Sequence, residues 1–144
     1  MYNILQSAHS GWAYIALILL VIATATALIG LISKKAFNLN HRRISLMALI
    51  AVHLQFVAGM FLYFTSPNGW QKIQSVGISG MQTAERLLCL EHPVTNLIAI
   101  TLITIGWSKH KKAAPEKKFK AIGVFYLLGL ILILVKLPWS SWLP

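Results

Sequence analysis

Four uninterrupted apolar stretches dominate this chain: Gly11–Ile32, Ile44–Thr65, Leu87–Ser108 and Phe119–Leu137. Each is close to the roughly 20 residues that a helix needs to cross about 30 Å of hydrocarbon. The first two contain no formal charge; the third contains Glu91, and the fourth Lys120 and Lys136. Open strand edges do not survive in lipid, so spans of this length are helices. Only 11% of the residues are charged and 57% are hydrophobic, against about a quarter charged in soluble domains. The expectation is an all-α integral membrane protein: one domain over residues 1–144, with spans at about 11–32, 44–65, 80–108 and 119–137. Short connections make successive helices antiparallel, which gives an up-down-up-down four-helix bundle.

The net charge of +10 raises the question of nucleic acid, and its distribution answers it. Lys34, Lys35, Arg42 and Arg43 lie between the first two spans, and Lys109, Lys111, Lys112, Lys117, Lys118 and Lys120 between the last two. Those ten of the thirteen basic residues place both short loops in the cytoplasm by the positive-inside bias. Both termini and the 66–80 loop then face outward, in a bacterial inner membrane. The basic residues orient the chain and meet anionic lipid; no nucleic acid partner is expected. The single cysteine, Cys89, excludes an internal disulfide. Ala23-Thr24-Ala25 imitates a signal-peptide cleavage site, but no Lys or Arg precedes the first apolar run, so that span is expected to be retained.

Local signals fill in the connections. Asn40 is the expected N-cap of the second helix. Ser66-Pro67-Asn68-Gly69 reads as a turn, and 70–78 as a segment at the outer interface. The third helix is expected to start near Ser79 or Gly80, and Ala113-Ala114-Pro115 to break the chain before the fourth. Trp12, Trp70, Trp139 and Trp142 mark the outer interface and Trp107 the inner one.

Each helix carries one polar or small-residue side. In the first, His9, Ala13, Ala16, Leu20, Ala23, Ala27 and Gly30 recur at steps of four and three, a seam suited to close packing in lipid. The third repeats the pattern with Glu85, Cys89, His92, Asn96, Ala99, Ile103 and Gly106. The fourth does so with Ile122, Tyr126, Gly129, Ile133 and Lys136. In the second, Val52, His53, Gln55, Phe56, Gly59, Met60 and Tyr63 share an arc opposite Met47, Ile50, Leu54, Val57 and Phe61, which is a lipid face.

The polar sides therefore converge on one interior, and ionisable groups there are costly enough to suggest a task. Two of only three acidic residues, Glu85 and Glu91, flank Cys89 and His92. His53 lies twelve residues before Thr65, and His92 twelve residues after Gly80. At 1.5 Å per residue both sit about 18 Å from the outer helix ends. Two imidazoles at a common depth can ligate a haem iron from both sides, with Arg86 and Lys136 at the rim for its propionates. Glu91, about 100° around the helix from His92, is expected to pair with Lys136 or Arg86 instead of orienting the ring. The bland alternative is that His53, His92 and Gln55 tie helices together, a contribution of about 1 kcal/mol each. His9 reads as interfacial, and His41 and His110 as solvated among lysines. No HExxH, CxxC, nucleophile elbow or phosphate loop is present.

His9-Ser10-Gly11, His53 with Gln55 and Gly59, Leu62-Tyr63-Phe64, and Arg86 with Glu91-His92-Pro93 resemble a family of small bacterial four-helix membrane proteins labelled cytochrome b-like. Ile103-Thr104-Ile105-Gly106 and Pro138-Trp139 extend the resemblance over nearly the whole chain. It implies a membrane bundle and haem b, with His9, His53, His92, Gln55, Arg86 and Glu91 as the positions to watch. The leading expectation is a small b-type electron carrier with His53 and His92 as axial ligands, not a standalone enzyme. The alternatives are an accessory subunit of a larger respiratory or secretion complex, or a quinone- or lipid-binding protein built around His9, Tyr14, Glu91 and Lys136. Other membrane subunits or a second copy are the expected partners.

Overall fold

The computed structural model describes residues 1–142, and the described chain is all-helical. The long helices are α1 (Tyr2–Ile32), α2 (Leu39–Thr65), α5 (His92–Lys112) and α6 (Lys118–Val135). Shorter pieces are α3 (Trp70–Val76), α4 (Thr83–Arg86) and α7 (Trp139–Trp142). With α4 as its forward extension, the third rod gives a fourth helical unit long and apolar enough to cross a membrane, beside those of α1, α2 and α6.

The chain passes up, down, up, down. α1 packs on α2 and α6, and α5 packs on α6 and α2, so the four rods form a ring. Both ends of the described chain lie at one end of the ring, and the two basic loops at the other.

The repeating small-residue seams face inward. Ala16, Leu20, Ala23, Ala27 and Gly30 of α1 are buried, as are Ala99, Ile103 and Gly106 of α5 and Ile122, Tyr126 and Gly129 of α6. Gly129 shows why a small residue is needed. A Cβ there would stand 2.6 Å from Ile103 Cγ1 and 3.0 Å from the Ala99 carbonyl. The predicted outward arc of α2 is also found: Met47, Ile50, Leu54, Val57 and Phe61 are all at least half exposed. Tyr126 is fully buried and donates its hydroxyl to the Ser45 carbonyl at 2.8 Å, bridging the α2–α6 diagonal near the basic end.

Several local expectations need correction. α1 begins at Tyr2, nine residues before Gly11, because nothing in that stretch breaks a helix. The cap of α2 is Asn38, not Asn40. Asn38 Oδ1 accepts from the His41 N–H, and the Asn38 N–H donates to His41 Nδ1, closing a reciprocal box. His41 is therefore a capping residue, and its ring stacks edge-on to Phe119. His110 is 1% exposed, held under Trp107 and Phe37, with Nδ1 bonded to the Trp107 carbonyl. Trp12 is a helix tie more than an interface marker: its indole donates to the Ala51 carbonyl at 3.0 Å.

The third rod holds one feature absent from the sequence reading. Leu87–Glu91 is a π-turn, in which the His92 N–H reaches the Leu87 carbonyl five residues back. Pro93 follows it and has no N–H to donate. The turn thus widens where the regular hydrogen-bond ladder is broken anyway, and π-turns are frequent at functional positions.

Candidate functional site

At the end away from the basic loops the ring opens into a cavity of about 360 Å³. Along α1 it runs from Tyr2 to Leu20, about 27 Å at helical rise. Its mouth is polar, with Gln6, Asn68 and Ser141, and its floor is apolar, with Leu20, Val52 and Ile100. This size and this mix of a dry floor with few polar groups suit a small-molecule site.

His9 enters from α1. Its ring lies against Gly59, where a Cβ would come within 3.0 Å of His9 Cε1, so the missing side chain makes room for the imidazole. Gln55 holds the helix from α2: its amide nitrogen donates to the His9 carbonyl at 2.9 Å and lies 3.4 Å from His9 Nε2. His9 Nδ1 and Gln55 Oε1 are buried without a hydrogen-bond partner in the protein. Buried polar atoms are seldom left so, and each one asks for an explanation.

His92 enters from the opposite corner at the start of α5. Its Nδ1 is 2.9 Å from the Lys136 carbonyl, which can only accept, so the proton sits on Nδ1 and Nε2 carries the lone pair. The Asn96 amide nitrogen lies 3.1 Å from both ring nitrogens. The centroids of the His9 and His92 rings are 6.5 Å apart, with planes at 87°.

His53 is not with them. Its Nδ1 donates back to the Leu49 carbonyl at 2.7 Å, and its Nε2 meets Thr104 Oγ1 at 3.2 Å. Thr104 is twelve residues beyond His92 on α5, about 18 Å along the axis. Likewise the Leu49 level on α2 is ten residues from Gly59, beside which His9 sits, or about 15 Å. His53 and His92 therefore do not share a depth, and the expected axial pair is corrected: one iron cannot reach both. The reason is geometric. Side chains tilt toward the N-terminus of their own helix, so on antiparallel rods the two rings diverge, His53 toward the basic end and His92 toward the mouth. Residue counting from helix ends misses this.

The charged residues are also placed differently from expectation. Glu91 takes Lys136 at 2.7 Å and Arg86 at 3.5 Å, and Glu85 takes Lys72 at 2.9 Å. The predicted Glu91 pairing is found, with both candidates at once. Arg86 and Lys136 are thereby committed to a carboxylate, and no Lys or Arg lines the cavity. Both residues lie beside the cavity, paired with Glu91, and not in its lining. Cys89 is buried, with Sγ 3.0 Å from Met81 Sδ. No group of three or more His, Cys, Asp or Glu that would suit a bare metal ion occurs among the described residues.

The structure thus gathers His9, Gln55 and His92 from the sequence-predicted set, sends His53 to the far wall, and keeps Arg86, Glu91 and Lys136 in an ion-pair cluster beside the site. Asn96, Phe56, Met60 and Tyr63 complete the lining. No protein-family model, curated protein or solved structure matches this chain.

Proposed function

We propose that the chain is a multi-pass protein of the bacterial inner membrane, basic loops in the cytoplasm and termini outside, that binds haem b and carries electrons. The observation that carries this reading is the pair of imidazoles facing each other across the α1–α5 diagonal. A metal–nitrogen bond of roughly 2 Å on each side, plus about 1 Å from each nitrogen to its ring centre, gives roughly 6 Å between centroids. His9 and His92 stand at 6.5 Å. The unpartnered His9 Nδ1 and the Nδ1–H anchor of His92 on a carbonyl suit ligating histidines.

In this reading His9 and His92 hold the haem, and Phe56, Met60 and Ile133 border its ring. When bound, haem supplies one-electron transfer between a quinol-type donor or partner subunit and another redox centre. The protein's own part is to fix the two rings and keep water from the floor. Propionates would extend to the polar mouth at Gln6 and Asn68, since the cavity itself offers no cation.

That last observation favours one second reading: a neutral ring ligand of the quinone class, whose hydroxyl in the reduced form would donate to the partnerless Gln55 Oε1. Absorption spectra of the purified protein, oxidised and reduced, separate the two. Haem binding predicts a Soret band lost in His9→Ala and kept in His53→Ala. A protein with no such band, purified with haem supplied, and with quinone extracted from it, establishes the second reading instead.

A further inference from the structure

The opposite end of the bundle carries a second concavity. It holds about 300 Å³ and is lined by Phe37, Asn38, Leu39, Arg42, Pro115 and Lys118. Three observations give it a ligand.

First, the charge at this end is uncompensated. All the salt bridges found among the described residues involve Lys72, Arg86 or Lys136 at the cavity end. The ten basic residues of the two loops have only Glu116 near them in sequence, and no carboxylate within bonding distance. Second, the cations stand where helices are already positive. α2 starts at Leu39 with no acid in its first turn, and α6 starts at Lys118, directly after a 3-10 turn, Pro115–Lys117, that carries Glu116 without an ion-pair partner among the described residues. Arg42, just past the first three residues of α2, and Lys118, the first of α6, stand against the macrodipole, an arrangement that an anion between the two N-termini relieves. Third, the groove is built and not merely charged. The Asn38–His41 box fixes its floor. The Arg42 guanidinium is set 6.0 Å over the Trp107 ring. Apolar Phe37, Leu39 and Pro115 form the rim, and Leu39 is 56% exposed at the polar end of its helix.

We propose that this groove binds the phosphate of an anionic phospholipid, with Arg42 and Lys118 as its two cationic contacts and Leu39 and Phe37 against the first acyl carbons. A charged headgroup joined to apolar chains matches a basic floor with an apolar rim. The exposed apolar faces of α2 and α6 then continue the path of the chains. The inference rests on the membrane-spanning part of the reading above and not on haem.

The test uses the full chain purified in detergent, with phosphatidylglycerol or phosphatidylcholine added and retained lipid counted by native mass spectrometry. The wild type is expected to keep phosphatidylglycerol preferentially. R42Q/K118Q is expected to lose it by roughly thirtyfold, from about fivefold per basic residue at an anionic surface. K34Q/K35Q removes the same charge outside the groove and is expected to retain the lipid. Leu39→Trp fills the groove with every charge intact and is expected to lose it, which covers the case of a double variant that does not fold. Equal loss in both charge pairs, no preference in the wild type, or displacement by millimolar inorganic phosphate would overturn the assignment. Spectra of the same samples report haem separately, and extraction by alkaline carbonate reports membrane insertion.

Discussion

The two ends of this bundle share one seam on α1 and put it to opposite uses. Toward the basic end, Ala23, Ala27 and Gly30 meet Phe119, Ile122 and Tyr126, and the interior is filled. Toward the other end, His9 and Ala13 meet Gly59, Asn96 and Ile133, and the interior stays open. The diagonal bridge changes too: a tyrosine hydroxyl on a backbone carbonyl at the filled end, two imidazoles facing each other at the open one. A run of small residues therefore does not determine whether helices close or part. The residues opposite it do. The closest apolar packing lies at one end, and the partnerless polar atoms lie at the other.

That division is open to direct attack. If the proposed haem is bound, the largest effect is expected from His92→Ala, which should abolish its absorbance while thermal unfolding in detergent moves little. A large drop in stability with the spectrum intact would reverse the roles of the two ends. Tyr126→Ala should do the opposite, lowering stability by about 3 kcal/mol with the spectrum retained. A loss below about 1 kcal/mol in a denaturant titration would mean that the filled end does not dominate stability. Two glycine replacements sharpen the contrast. Gly129→Leu forces a side chain into Ile103 and should cost about 1–3 kcal/mol. Gly11→Leu enters open space and should cost less than about 0.5 kcal/mol. Smallest of all is Lys72→Ala. Its bridge to Glu85 is open to solvent, so the melting curve should not move measurably.

Much of the architecture was legible because lipid-length apolar runs leave few options. The four long apolar helices, the exposed apolar arc of α2 and the inward seams follow from spacing alone. The site was read in part. His9, Gln55 and His92 were all singled out, but the pairing was drawn between His53 and His92. Spacing reports angle around a helix well. It reports height across antiparallel helices poorly, because side-chain tilt has opposite signs on the two. His41 and His110 were misread for another reason. Lysine-rich surroundings suggest water, yet one imidazole closes a cap and the other lies beneath an indole, contacts that depend on a loop path no periodicity encodes. The widened turn before Pro93 left a single trace, the proline itself, and proline alone does not say whether a helix kinks or bulges.

That turn has a further consequence. It inserts one surplus residue between the sulfur pair at Cys89 and Met81 and the imidazole at His92. Deleting Leu90 should therefore restore regular winding while Glu85 stays beside Lys72 and His92 keeps its hold on the Lys136 carbonyl. The wide turn absorbs the surplus residue on the spot, so the segment from Met81 to Arg86 and the His92 ring each keep their own contacts on either side of it.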